Sequence, residues 1–316
     1  TAPFSRFPVK SEIIIVLLSV VLFRISSSLK KISEENKLLL LSLIVGVLSG
    51  CAAVLLDYAV ETISHLLNGE FWAGSNYEWH LLVLPGVGML VSLLLLKYVI
   101  KDNIGHGVTK VLLSISRNES RIKAHNSWSS LLTSSFTIGF GGSVGAEAPI
   151  VYTGAAIGSN IAQISGLSHK NITILLGCGA AGAVAGIFKV LFTMEILLFN
   201  VSMKSMLPLL LSTISATVVS YIFRGDTPVF ACTLTPFAMG NIPFYIFLGI
   251  GAGLFSLYFT NGTLWLEDKL SKFKNRFTKW ACCALGLGLL IFLFPQLYGQ
   301  GYDSLNALLN GHEIAI

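Results

Sequence analysis

Long apolar runs recur along this sequence and restrict the folds that are open to it. A helix needs roughly 20 apolar residues to cross a bilayer, and most of these runs approach or reach that length. None of them alternates with the period of two that a barrel strand requires, so we expect helices. The runs are Leu38–Leu56, which can extend to Leu67, Leu81–Ile100, Lys170–Phe199, Met206–Phe223, Ile242–Leu266 and Trp280–Phe294.

The composition agrees with a membrane protein. Hydrophobic residues make up 53% of the chain and charged residues 12%, about half the charge of a soluble domain. The mean hydropathy is +0.75. We therefore predict an all-α polytopic membrane protein, with the lipid bilayer as its surroundings. The net charge of +5 sits in short loops between apolar runs, which indicates membrane topology and not nucleic-acid binding.

Loop charge predicts the orientation in the membrane. Basic residues precede the first run and are dense in the segments 97–123 and 267–279, whereas the loop between the first two runs carries acidic residues and no Lys or Arg. By the positive-inside rule the N-terminus is cytoplasmic, in a plasma (inner) membrane. Residues 1–30 form a separate segment of unclear role. Its apolar run Glu12–Phe23 is short and no cleavage site follows it, so we expect an interfacial or tethering segment.

The stretch between Ile100 and Lys170 differs from the rest of the chain. It is rich in Gly, Ser and Thr, and Ser127–Thr137 (SWSSLLTSSFT) is too polar to face lipid. Irregular backbone survives at membrane depth only where it is buried in protein or lines a cavity. We therefore expect the functional centre in this stretch.

Two short motifs in this stretch each precede a helix. They are Gly105–Thr109 (GHGVT) and Gly145–Pro149 (GAEAP). A helix N-terminus has free N–H groups and a positive dipole end, so it attracts anions. Two such termini meeting in the membrane would bind an anion without a full positive charge, and such weak binding suits conduction.

Glu147 is the one ionisable residue of the second motif. Its ionised carboxylate can occupy the place of the anion, and its protonated form can leave that place free, which describes a gate. The alternative is a carboxylate that only caps the helix. Because ionisable groups inside a membrane are functional by default, we favour the gate.

Through these two motifs the sequence resembles the CLC family of chloride channels and chloride/proton antiporters. GHGVT is similar to the family motif GSGIP, and GAEAP to GxEGP. The blocks GCGAAGAVAGIF, VLFTME and GQGYDSL resemble later parts of the family pattern. The resemblance implies a CLC-type inverted repeat of broken, tilted helices over residues 31–316, covering the first repeat and part of the second. It also implies a homodimer with one pore in each subunit.

The resemblance also implies roles for individual residues. Glu147 matches the gating glutamate, and His106 stands where the family has a serine that coordinates the central anion. The His106 ring can donate one hydrogen bond to an anion, or it points away and only backbone amides serve. The implied anion-binding residues are Gly105, His106, Gly107, Ala146, Glu147 and Ala148.

The following block departs from the exchangers of the family. Glu195 aligns with a general glutamate, which can be a structural carboxylate, but the next position, a proton relay in exchangers, is Ile196. An isoleucine carries no proton, which favours a passive channel or an exchanger whose proton takes another route. The resemblance also implies that about five family residues are missing between Lys189 and Val190, so we expect a chain break there. The sequence stops at Ile316, before the family motif GxFxP and its pore tyrosine.

The sequence therefore predicts a transporter of chloride or a similar small anion, with bound chloride as its ligand. A voltage- or pH-gated chloride channel is the first expectation, and a chloride/proton antiporter or a fluoride-selective member is the alternative. The segment Gly141–Gly145 (GGSVG) also matches the G-x-S-x-G motif of hydrolases, which raises an intramembrane serine hydrolase as a different class. No strand pattern or His/Asp context supports that class, and no cofactor, metal cluster or nucleic-acid patch is indicated, so we do not expect an enzyme.

Overall fold

The computed structural model describes residues 33–69, 80–102, 107–189, 203–225, 239–273 and 275–310. The described residues fold into α-helices, with a π-helical turn at Leu95–Ile100 and 3-10 turns at Met239–Asn241 and Pro295–Leu297, and with no β-strand among them. The all-α prediction is therefore confirmed. The helices are α1 Glu34–Gly69, α2 His80–Leu94, α3 Gly107–Arg117, α4 Asn126–Gly139, α5 Glu147–Ile164, α6 His169–Phe188, α7 Met203–Arg224, α8 Ile242–Ser271, α9 Arg276–Leu293 and α10 Tyr302–Leu309.

Six of the described helices are long and apolar enough to cross a membrane, namely α1, α2 with its π-helical turn, α6, α7, α8 and α9. Each overlaps one of the predicted apolar runs, and the chain is a multi-pass membrane protein. Helix α9 starts at Arg276, before the predicted Trp280, because the Asn275 side chain accepts a hydrogen bond from the Phe277 N–H at 3.1 Å. The run Lys170–Phe199 is described only as far as Lys189, where α6 has ended at Phe188.

Helix α6 lies at the centre of the molecule and packs against α1, α5 and α7. Most of its residues are glycine, alanine or small aliphatics and are buried. At its crossing with α5, a Cβ built on Gly179 would lie 2.0 Å from the Gly154 carbonyl oxygen. The two helix backbones therefore touch directly, which only small residues allow.

Helices α1 and α7 run in the same direction. The Ser215 hydroxyl donates to the Leu43 carbonyl at 3.3 Å, and nearer the C-terminus of both helices Arg224 forms an ion pair with Asp57. Helix α6 runs parallel to both, since Lys189, just after its end, donates to the Gly225 carbonyl just after α7 at 2.6 Å. The C-terminal ends of α1, α6 and α7 thus lie together, and we call this the C-terminal end of the bundle.

Helix α4 corresponds to the polar stretch Ser127–Thr137. Its hydroxyl residues Ser129, Ser130, Thr133 and Ser135 are buried. The Ser135 hydroxyl donates back to the Leu131 carbonyl at 2.8 Å, and Ser92 of α2 donates to the Thr133 carbonyl at 2.8 Å. The stretch is therefore packed inside protein, as its polarity predicts.

Candidate functional site

Helix α5 begins at Glu147, directly after a turn that follows α4. Ala146 is fully buried at the N-cap position and makes no side-chain cap. The half-buried Glu147 carboxylate accepts a hydrogen bond from the Tyr302 hydroxyl at 2.5 Å. It also folds back against Gly145, where an added Cβ would lie 1.8 Å from Glu147 Oε2. The carboxylate thus makes a specific contact with a residue far away in the sequence, which a simple helix cap does not require.

The N-terminus of α3 lies against the first turn of α5. A Cβ on Gly107 would be 2.6 Å from the Ala148 carbonyl oxygen and 3.2 Å from Tyr152 Cβ. One turn further along, Val111 packs into the same buried cluster as Tyr152 and Ala155. The two helices therefore run side by side in the same direction with level N-termini. Each first turn offers N–H groups that have no partner within the helix.

Only part of the predicted anion-binding set can be placed. Gly107, Ala146, Glu147 and Ala148 come together at these two helix ends. Gly105 and His106 lie outside the described residues, so the contact between His106 and an anion stays a prediction. Val190, Glu195 and Ile196 also lie outside the described residues. The expected break after Lys189 falls there too.

Tyr302, the first residue of α10, is the functional candidate that sequence reasoning missed. Its ring meets Phe188, the last residue of α6, edge to face with centroids 6.3 Å apart. Burial, followed by the hydrogen bond to Glu147, raises the pKa of Tyr302 above its ordinary value. The hydroxyl therefore keeps its proton and serves as a donor. The available signal was the GQGY segment, where a glycine pair ends in an aromatic residue at a helix start.

The turn before α5 holds the loop that carries Tyr302. Gly141 has a φ of 86°, and a Cβ on it would lie 1.9 Å from the ring of Tyr298. The Gly299 N–H donates to the Gly141 carbonyl at 3.3 Å. Gly301, with a φ of 76°, turns the chain into α10. The turn and the loop therefore fit each other through backbone and ring contacts.

A polar cavity of about 590 Å³ opens beside Tyr302 at the C-terminal end of the bundle. Two carboxylates, a histidine and an arginine line it, and the arginine pairs with one of the carboxylates. Tyr302 thus lines the cavity, and its hydroxyl donates a hydrogen bond to Glu147. The polar lining includes Asp57, Glu61 and His65 of α1, Arg224 of α7, and Gln296, Gln300 and Tyr302.

The hydrolase motif Gly141–Gly145 does not form a nucleophile elbow. That element needs a strand before the serine and a helix after it, whereas here Ser143 is exposed in a turn between helices α4 and α5. His169 starts α6, whose other end faces Glu147, so it lies at the far end of the bundle from Ser143. Across the described residues, no three His, Cys, Asp or Glu side chains form a group that could hold a metal ion.

Two curated relatives align with most of the chain. A ClcB-like chloride channel protein of Ralstonia nicotianae is 25% identical over 289 residues, covering 83% of this chain and 66% of the relative. The H(+)/Cl(-) exchange transporter ClcA of Vibrio cholerae is 22% identical over 311 residues, covering 91% of this chain and 65% of the relative. The chain thus spans slightly less than two thirds of the length of these relatives.

Two solved structures share the fold. A slow cyanobacterial Cl-/H+ antiporter superposes with a TM-score of 0.74 at 20% identity, covering 88% of this chain and 68% of that one. A CLC-type fluoride/proton antiporter gives a TM-score of 0.73 at 23% identity, covering 89% and 71%. These likenesses confirm the CLC-type fold of tilted helices.

A family profile settles the relationship. The profile described as "Voltage gated chloride channel" matches residues 87–316, a range that contains α3, α5, the loop before α10 and Glu147. This chain therefore belongs to the voltage gated chloride channel family.

Proposed function

We propose that the protein moves chloride or a similar small anion across the membrane in exchange for protons, with Glu147 as its gate. The observation that carries this proposal is the pair of level N-termini of α3 and α5, with the Glu147 carboxylate at one of them. Relatives and structural neighbours described as proton-coupled exchangers support coupling to protons.

The chemistry follows from the two helix ends. Free N–H groups and the positive ends of two helix dipoles attract an anion, and they hold it weakly enough to release it. The ionised Glu147 carboxylate competes with the anion for this region. A protonated Glu147 carboxyl carries no charge, so the helix ends no longer attract it. Proton uptake therefore frees the region for the anion. This couples the movement of the anion to the movement of the proton.

A passive chloride channel is the second candidate, and one residue favours it. Ile196 stands where the resemblance places the proton relay of exchangers, and an isoleucine side chain cannot pass a proton. Under the exchange proposal the proton must reach Glu147 by another route. In the channel candidate, voltage or pH would gate a passive anion pathway, and Glu147 would still be the gate.

Liposomes that contain the full-length protein distinguish the two candidates. The reversal potential is measured with a chloride gradient and then with an added pH gradient. Exchange predicts that the pH gradient shifts the reversal potential, whereas a channel predicts no shift. Repeating the efflux assay with fluoride in place of chloride tests whether the protein is a fluoride-selective member.

The gate itself is tested with Glu147→Ala beside Ser143→Ala, a matched change in the same turn. Glu147→Ala should abolish the pH response of the flux, because the competing carboxylate is gone. Ser143→Ala should leave flux and pH response unchanged, because Ser143 is exposed in the turn and carries no charge. A normal pH response in Glu147→Ala would show that Glu147 is not the gate.

We further propose a homodimer in the plasma (inner) membrane with a cytoplasmic N-terminus. The basic segments 97–123 and 267–279 support this orientation by the positive-inside rule. Cysteine labelling from either side of the membrane tests the orientation, and cross-linking in the membrane tests the dimer.

A further inference from the structure

The contact between Tyr302 and Glu147 joins two parts of the chain that are 155 positions apart. The distance between the Tyr302 hydroxyl and Glu147 Oε1 is 2.5 Å, which is typical of a hydrogen bond to an ionised acceptor. Such bonds are roughly twice as strong as neutral ones. The bond therefore holds the Glu147 carboxylate in the position that it occupies here.

The direction of the Tyr302 side chain is fixed on two sides. Its ring contacts Phe188 edge to face. Its backbone follows directly on the loop that is anchored at Gly141 by the Tyr298 ring and by the Gly299 N–H. The ring contact and the anchored loop together restrict the positions of the Tyr302 hydroxyl, so Tyr302 is a preorganised donor.

We propose that Tyr302 is the positioning residue of the Glu147 gate and sets the pH at which the gate is released. This inference rests on the proposed role of Glu147. Tyr302 holds the ionised carboxylate against the start of α5. Protonation of the carboxyl removes the charge that strengthens this bond, so the side chain is then free to leave.

Few other charged groups near Glu147 are available to hold its carboxylate. Helix α4 contains no Asp, Glu, Lys, Arg or His, and the last turn of α6 has no charged residue before Lys189, which donates to the Gly225 carbonyl. On α3, Lys110 lies in the field of Asp102 and Lys123. Of the side chains that the structure describes at this end, Asp57, Glu61, His65 and Arg224 line the cavity.

Those cavity groups form a separate set of charges beside Tyr302. Asp57 and Glu61 of α1 line the cavity together with His65, and Arg224 of α7 is paired with Asp57. They bring the same electrostatic background to the wild type and to variants of Tyr302. A change in pH response on removing the Tyr302 hydroxyl therefore reports on the bond to Glu147.

The test compares Tyr302→Phe with Tyr58→Phe in the full-length protein in liposomes, with flux measured as a function of pH. Tyr58 is a matched control, because its hydroxyl donates to the Phe223 carbonyl at 3.0 Å at the same end of the bundle. Losing a hydrogen bond to a charged group changes an equilibrium roughly tenfold or more. Tyr302→Phe should therefore move the pH of half-maximal flux upward by about one unit or more, and Tyr58→Phe should not move it.

Two further measurements separate the possible failures. On a Glu147→Gln background, Tyr302→Phe should have no effect on the pH response, because no charged carboxylate is left to hold. If Glu147→Gln abolishes the pH response but Tyr302→Phe leaves the midpoint unchanged, the positioning role is wrong and the gate stands. If Glu147→Gln keeps the wild-type pH response, the gate itself is wrong.

A second variant keeps the proposal testable if Tyr302→Phe fails to fold. Tyr302→Leu also lacks the hydroxyl and should give the same upward shift. An unchanged midpoint in whichever of the two variants folds would overturn the proposal.

Discussion

Replacing Gly179 by alanine tests the direct contact between the backbones of α5 and α6. The new Cβ would lie 2.0 Å from the Gly154 carbonyl oxygen and 2.8 Å from the carbonyl carbon. Ordinary contacts are about 3.5 Å, so the helices must separate by on the order of 1 Å. Forcing an extra methyl group into a packed core costs about 1–3 kcal/mol, and overlap with a backbone atom places this site towards the upper end.

Gly251→Ala on α8 is the matched control. A Cβ at Gly251 meets nothing within 4 Å. Both changes gain the same helix propensity, about 1 kcal/mol. The difference between the two free energies of unfolding therefore measures the overlap of the new Cβ with the α5 backbone. We expect Gly179→Ala to have a free energy of unfolding about 1–3 kcal/mol below that of Gly251→Ala.

Equilibrium unfolding of the full-length protein in mixed micelles, followed by circular dichroism, measures this difference. The anion flux of Gly179→Ala should also fall, because the change displaces the helix that carries Glu147. Two variants within about 0.5 kcal/mol of each other, the range of ordinary surface changes, would refute the close packing of α5 on α6.

Three further predictions concern the surroundings of the site. Gly141→Ala places a Cβ where the Tyr298 ring lies, at a φ of 86°, and should cost about 1–3 kcal/mol; a wild-type melting temperature would contradict the fit of loop and turn. Ser159→Ala removes the buried acceptor of the Ile122 N–H, 3.0 Å away, and should cost about 1–3 kcal/mol in chemical unfolding; an unchanged free energy of unfolding would contradict this hydrogen bond. Burial raises the pKa of Tyr302 above its ordinary value of 10, so its neutral form contributes fully to stability below that pH and the contribution is lost as the pH rises further. The absorbance of tyrosinate that Tyr302→Phe removes should therefore appear in wild type only above pH 10, and its appearance at lower pH would contradict the buried hydrogen bond.

The membrane helices and the position of Glu147 could be predicted because their signals are local. An apolar run of about 20 residues is visible without any knowledge of its neighbours. Likewise, GAEAP marks the start of a helix through its own small residues, and α5 does begin at Glu147. The burial of α4 followed from the same reasoning, since a run of hydroxyl side chains is costly in lipid.

Tyr302 could not be predicted because its role depends on tertiary packing. The glycine pair of GQGY indicates a turn into a helix, but nothing in this segment indicates that its tyrosine contacts Glu147. The contact with Glu147 arises only when the loop after α9 settles on the turn before α5 through Gly141 and Tyr298. Helix α9 begins before its apolar run, which starts at Trp280. The preceding Arg276–Lys279 stretch is also helical because Asn275 caps it.

The contact between α5 and α6 has a consequence for how fast the site can respond. Where two backbones touch at Gly154 and Gly179, neither helix can shift without breaking many contacts at once, and shifts of packed helices take microseconds to milliseconds. A single side chain changes rotamer within picoseconds to nanoseconds when it is free. Motion at the start of α5 should therefore reside in the Glu147 side chain, with its rate limited by proton arrival and by the bond to Tyr302. The temperature dependence of flux should accordingly be shallow, as for a rotamer change, and not steep, as for a rearrangement of helices.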